Sequence, residues 1–173
     1  MVCEIVIYPD KRLKLISKEV TEFNSELHNL LDDLYDTMLS RKGVGLAAIQ
    51  IGVDKRVLII NLPDENGDSD DVVIQKEETL EIINPVFVKK DGNCKHQEGC
   101  LSIPGFYEDI ERAEHIVLEY QDRYGEKFTI DNNEFLAIAL QHEIDHLDGK
   151  VFIEKLSFIK RKKFEKEWKK RTK

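Results

Sequence analysis

No apolar run in this 173-residue chain approaches the ~20 residues that a membrane-spanning helix needs, so no membrane role is expected. The first residues, Met1 to Val6, lack the basic and apolar regions of a secretory signal. They also lack the Arg- and Ser-rich character of a transit segment, and a cytoplasmic location is the expectation. Cysteine is scarce: Cys3, Cys94 and Cys100 stand at irregular spacing, which implies no disulfide framework and suits a reducing compartment. No Cys-x-x-Cys pair exists, and closed structural zinc sites are built mostly from such pairs. No Gly-Lys-Ser/Thr marks a phosphate loop, and there is no internal repeat or low-complexity tract. The chain is long enough to bury a core without disulfides, and 1–173 is expected to form a single domain.

Charge is abundant but uneven. The net charge is −8, yet residues 155–173 hold ten Lys/Arg against two acidic residues, a local +8. The remaining body carries 16 basic and 32 acidic side chains, or −16. A basic tail on an acidic body is either a solvated helix or a docking element for an anionic partner.

Apolar spacing predicts an amphipathic helix from about Asn24 to Ser40, through Leu27, Leu30, Leu31, Leu34 and Met38. A short turn or helix is expected over 9–16. A small-residue loop over 43–52 is expected to pass into extended chain, followed by a strand over 56–62 and a polar loop over 63–71. Residues 81–88 read as a strand, with Pro85 suggesting an edge or a bulge. A constrained loop or edge is expected over 98–105. Strands over 112–120 and 127–130 should form a hairpin through Asp122 to Gly125. Asp131 and Glu134 resemble a capping box for a helix that Gly149 ends. That helix is apolar on most sides and should be buried, and 157–170 should form a surface helix.

The buried helix carries His142-Glu143-Ile144-Asp145-His146, a His-Glu-x-x-His pattern. Histidines four apart share one helical face, so both can reach one metal ion while Glu143 points at a water on it. Two ordinary helix histidines are the alternative, and a third ligand decides between them. Cys100, His96 and His115 are the candidates. Cys100 has the best setting, between Gly99 and the Ser102-Ile103-Pro104 stretch, where the backbone can approach a ligand closely. A thiolate with two imidazoles leaves one position open, as catalytic sites do. A zincin-type protease would need a third ligand beyond His146, where no histidine stands. Gly43 to Ala48 formally fits a dinucleotide fingerprint. It follows a helical stretch and leads into extended chain, the reverse of that motif's context.

Three segments, Gly43 to Gln50, Glu98 to Ser102 and Gln141 to Gly149, resemble the signature motifs of the peptide deformylases in order and spacing, within a likeness covering roughly residues 4–160. The resemblance implies an α+β fold, with mixed or antiparallel sheets around a central metal-bearing helix and a C-terminal surface helix. It also implies removal of the formyl group from the N-terminal formyl-methionine of newly made polypeptides. Cys100, His142 and His146 would then hold the metal, Fe2+ in the usual family member, although the donor set also suits Zn2+, Ni2+ and Co2+. Glu143 would be the general acid/base, with Gln50 and the Leu101 backbone N–H as oxyanion donors. Val44, Gly45 and Gly99 would pair with the substrate backbone, and Val44, Phe135, Ile138 and the His142 ring would line a methionine pocket. Glu98 and Arg112 match a family ion pair behind the metal loop. Two positions depart from the pattern: Tyr107 stands where several relatives carry an arginine, and Ala139 where some carry a second cysteine. The basic tail would meet ribosomal RNA near the tunnel exit.

Overall fold

Leu27, Leu30, Leu31, Leu34 and Met38 are all buried on one side of helix α1 (Ser25–Ser40). The Asn24 side chain caps the helix by accepting from the Leu27 N–H at 3.2 Å, which satisfies one of the orphan donors of its first turn. The computed structural model describes residues 1–63 and 75–173, so the loop expected over 63–71 lies, beyond Pro63, outside the described residues.

Five strands form one antiparallel sheet, ordered β1 (Gly45–Ala47), β2 (Val57–Ile60), β3 (Leu80–Asp91), β6 (His115–Gln121) and β7 (Lys127–Asn132). The remaining strands, β4 (Cys94–Cys100) and β5 (Ile103–Arg112), make a separate antiparallel hairpin. β2 is apolar at every position because it is covered on both faces. Leu58 and Ile60 pack with helix α2 (Phe135–Leu147), while Val57 and Ile59 pack with α1. A third cluster joins Ile103 and Ile110 of β5 to Phe152 and Ile153. It also takes in Phe164 and Trp168 of helix α3 (Phe158–Arg171), with Cys100 packed against it.

Several expectations are revised. Of the two readings of Pro85 the bulge holds: β3 lies inside the sheet, and Pro85 sits at a register shift between Ile83 and Val86. A ladder irregularity there spares the N–H that proline lacks. Asn84 takes φ 51° at this point, and its side chain bonds both the N–H and C=O of Val20, at 2.8 Å each. Of the two readings of 98–105, loop or edge, the edge holds. The segment is the tip of the β4–β5 hairpin, and Arg112 belongs to β5 rather than to the strand that follows. The small-residue segment forms β1 and then a 3-10 turn over Ala48–Ile51. Asp131 lies in β7, and the entry to α2 is held by Asn132, whose Oδ1 accepts from the N–H groups of Glu134 and Ala137. Gly149, at φ 72°, follows the end of α2 as expected. No helix among the described residues is long and apolar enough to cross a membrane.

Candidate active site

Helix α2 is buried along most of its length, which fixes its orientation, and His142 and His146 stand one turn apart with ring centroids 5.0 Å apart. Cys100 ends β4 immediately before the Leu101-Ser102 turn. The tight turn brings its thiol back over the helix. Ligand atoms of Cys100, His142 and His146 all lie within 4.8 Å of one another, and Cys100 Sγ is 3.4 Å from His146 Nε2. The other two candidate ligands are elsewhere. His96 stacks on Phe135 at 5.1 Å. His115 sits between Asp91 at 2.9 Å and Asp131 at 2.6 Å.

His142 Nδ1 bonds Glu98 Oε1 at 2.7 Å, which leaves Nε2 as the ring nitrogen available to the donor cluster. Glu98 in turn receives a two-pronged contact from Arg112, Nε to Oε2 and Nη2 to Oε1, both 2.8 Å. Arg112 Nη1 also donates to Asp145, on the same helix as the histidines. A histidine whose second nitrogen is held by a buried carboxylate is the usual setting of a metal ligand. Together with a thiol and a second imidazole, it fits a divalent ion with one position left open.

Glu143 and Gln50 flank this cluster. A Cβ built on Gly45 would fall 2.8 Å from Glu143 Oε1, so the carboxylate lies directly against the β1 backbone, where only glycine leaves room. Glu143 Oε2 is buried with no hydrogen-bond partner. Gln50 is buried; its Oε1 accepts from the Ala47 N–H at 2.9 Å, and its Nε2 lies 3.5 Å from Cys100 Sγ. A cleft of about 370 Å3 runs past these groups, bordered by Val44, Gly45, Gly99, Leu101 and Tyr107. A second recess of about 150 Å3 is lined by Val44, Gly99, Phe135, Ile138, Ala139 and His142. The Tyr107 ring lies across Gly99, where an added Cβ would come within 2.5 Å of its Cε1.

Burial shapes the electrostatics. Desolvation pushes the Glu143 carboxyl up to about 7, against the opposing pull of His142. Desolvation acts the same way on Glu98, but hydrogen bonds from Arg112 and His142 outweigh it and bring that carboxyl down to about 2. Burial opposes a charge on His142, yet its bonds to Cys100 and Glu98 raise its pKa well above the ordinary value. His146, desolvated and beside His142, is lowered well below it.

Of the residues that the resemblance assigned to the site, all border one or other of these two recesses except His146, which completes the donor cluster, and Arg112, which holds Glu98. Two neighbours were assigned no part from sequence: Asp145, which braces Arg112, and Ser102, whose Oγ accepts from Gln50 Nε2 at 3.2 Å. Both lie within the recognised motifs, the only signal that could have flagged them.

The polypeptide deformylase family profile matches residues 2–162. The chain is 54% identical to the peptide deformylase of Helicobacter pylori (strain G27) over 166 residues, 96% of this chain and 92% of that one. It is 55% identical to the peptide deformylase of Wolinella succinogenes over 167 residues, 96% of this chain and 95% of that one. The crystal structure of a peptide deformylase from Legionella pneumophila superposes with a TM-score of 0.87 at 41% identity, covering 99% of this chain and 96% of that one. With its motifs, its fold and these relatives in agreement, the chain belongs to the polypeptide deformylases, hydrolases that remove the N-formyl group from newly made polypeptides.

Proposed function

We propose that Cys100, His142 and His146 hold the divalent ion on which this metal-dependent family relies, Fe2+ before Zn2+, Ni2+ or Co2+. The observation that carries the proposal is the convergence of the three donor atoms within 4.8 Å, beside a buried, partnerless carboxylate oxygen of Glu143. When bound, the ion supplies Lewis-acid polarisation and lowers the pKa of water. The chain's own residues do the rest. Glu143, buried beside the donor cluster with its carboxyl raised above the ordinary range by desolvation, is placed to take and return a proton, as a general acid/base does. Gln50 Nε2 and the Leu101 N–H act as donors to the formyl oxygen as negative charge develops there, stabilising charge present only in the transition state.

The peptide lies extended along the cleft. Among the described residues β1 pairs only with β2, and β4 only with β5, and Val44, Gly45 and Gly99 offer backbone groups for an added strand. Its first side chain enters the recess lined by Val44, Phe135, Ile138 and the His142 ring, which suits an unbranched thioether. Tyr107, in place of the arginine of several relatives, covers Gly99 with its ring and gives the peptide a flat apolar wall there. Residues 1–173 work as one catalytic domain in the cytoplasm, and the basic segment 155–173, which contains α3, contacts ribosomal RNA near the tunnel exit.

Metal analysis of anaerobically purified protein, coupled to turnover of a formyl-Met peptide, tests the central reading. One ion per chain should accompany activity, and both should be lost in Cys100→Ala. Full activity without stoichiometric metal would sink it.

A further inference from the structure

An oxyanion donor works only if its N–H is aimed before the charge develops, and a glutamine side chain has three torsions to restrain. In this site the Gln50 amide is gripped at both ends. Its Oε1 accepts from the Ala47 N–H at 2.9 Å, and because a backbone N–H can only donate, this contact decides which end of the amide is oxygen. Its Nε2 carries two hydrogens. One faces Cys100 Sγ at 3.5 Å, toward the reacting centre; the other is taken by Ser102 Oγ at 3.2 Å. Ser102 is wholly buried, at 0% exposure, and Gln50 is at 1%.

The backbones of the two residues are tied together as well. The Val6 N–H donates to Gln50 C=O at 2.7 Å, and the Tyr8 N–H donates to Ser102 C=O at 2.9 Å, so one short N-terminal segment straps both to the same place. Tyr8 is held in turn by Trp168 of α3, whose Nε1–H donates to Tyr8 C=O at 3.2 Å. Ser102 is not among the three metal donors, and a hydroxyl with no tie to the reaction has little reason to be buried against this amide.

Resting on the reading of Gln50 as oxyanion donor, we propose that Ser102 is a positioning residue. Its hydroxyl oxygen holds one Nε2 hydrogen so that the other points past Cys100 at the formyl oxygen. Without it, the amide keeps its Oε1 anchor but can swing about it, and one buried N–H loses its acceptor.

A double-mutant cycle reads this directly. Parent, Ser102→Ala, Gln50→Ala and the double variant are compared for kcat, KM, bound metal and thermal unfolding with a formyl-methionyl tripeptide. Ser102→Ala should lower kcat about tenfold, short of the ~10²–10³-fold cost of deleting the donor itself, with KM and metal content unchanged. In the Gln50→Ala background the same substitution should cost nothing further. The Gln50 side-chain amide signals of the zinc-loaded protein, identified by their loss in Gln50→Ala, should shift or broaden in Ser102→Ala. An equal loss of kcat in both backgrounds would overturn the positioning role, and so would an unchanged kcat in the single variant. If Gln50→Ala alone proves harmless, the oxyanion reading fails and takes the proposal with it; if Gln50→Ala is slow but the effects simply add, only the proposal fails.

Discussion

Two ion-pair systems draw on the β4–β5 hairpin and differ mainly in their exposure to water. Behind the donor cluster, Arg112 (2% side-chain exposure) holds Glu98 (6%), and also reaches Asp145. Further along β5, α3 places Lys160 against Glu108 at 2.9 Å, with both side chains partly or largely in solvent. The distances are alike, but the energetics are not. A buried pair cannot lose one member without stranding the other's charge, whereas a solvated pair exchanges one partner for water at little cost. Precision is thus concentrated where His142 is oriented, and tolerance where the helix faces outward.

The largest expected effect lies in the chemistry that the buried side supports. Glu143→Ala should keep the metal and lose ~10²–10⁴-fold or more in kcat, the range of acid/base transfer. Comparable turnover by the variant, measured with metal content on the same sample, would break the assignment. Next is the network itself. Glu98→Ala should destabilise by ~3–5 kcal/mol, because buried Arg112 keeps only Asp145 and buried His142 Nδ1 loses its partner, while Glu108→Ala should cost at most ~1 kcal/mol. Denaturant midpoints for the two variants test the contrast, and equal losses would erase it.

A smaller effect is expected at the recess. Each missing methylene is worth ~1–3 kcal/mol in a hydrophobic pocket, so norleucine should replace methionine well and alanine poorly. Equal kcat/KM for formyl-Ala and formyl-Met peptides would show that Val44, Phe135 and Ile138 do not line a first-residue pocket.

The sequence announces the parts of this molecule that rest on local periodicity. The i, i+4 pair of His142 and His146, the cap at Asn24 and the stop at Gly149 all follow from neighbours within a few positions. Contacts between distant segments are not announced. β4 reads Cys-Lys-His-Gln-Glu-Gly-Cys and is mostly solvent-facing up to Gln97, so no apolar alternation reveals it as a strand. Pro85 signals a bulge correctly, but only pairing to β6, more than thirty residues on, places β3 inside the sheet. Asp131 resembles a cap until His115 and Asn132 take the two roles apart. The donor set was legible as candidates, and the bracing by Asp145 and Ser102 was not, since it depends on how the hairpin folds over α2.

The smallest effect on stability, and the sharpest test of the outward side, concerns α3. The sequence invites removal of Phe164 to Lys173 as a clean test of ribosome binding, but the packing argues against it. Phe164 and Trp168 are buried, meeting Tyr8 and Phe106 in tilted and edge-on contacts at centroid distances of 4.5–6.1 Å, and Trp168 also holds the Tyr8 carbonyl. Deletion would therefore strip a core cluster that includes Cys100 among its neighbours, and lost activity would say nothing about RNA. Charge reversal on the solvent face separates the two effects. Lys162, Lys166, Lys169 and Lys170 are all exposed, and replacing them with Glu should shift stability by no more than ~0.5 kcal/mol per site. Turnover of a free formyl-Met peptide should be unchanged. If the helix meets ribosomal RNA, co-sedimentation with ribosomes at low salt should disappear, and in the parent it should weaken steeply with added salt as counterions are released. Undiminished co-sedimentation of the reversed protein would show that the +8 of this segment is only a solvated face anchored by two aromatic rings.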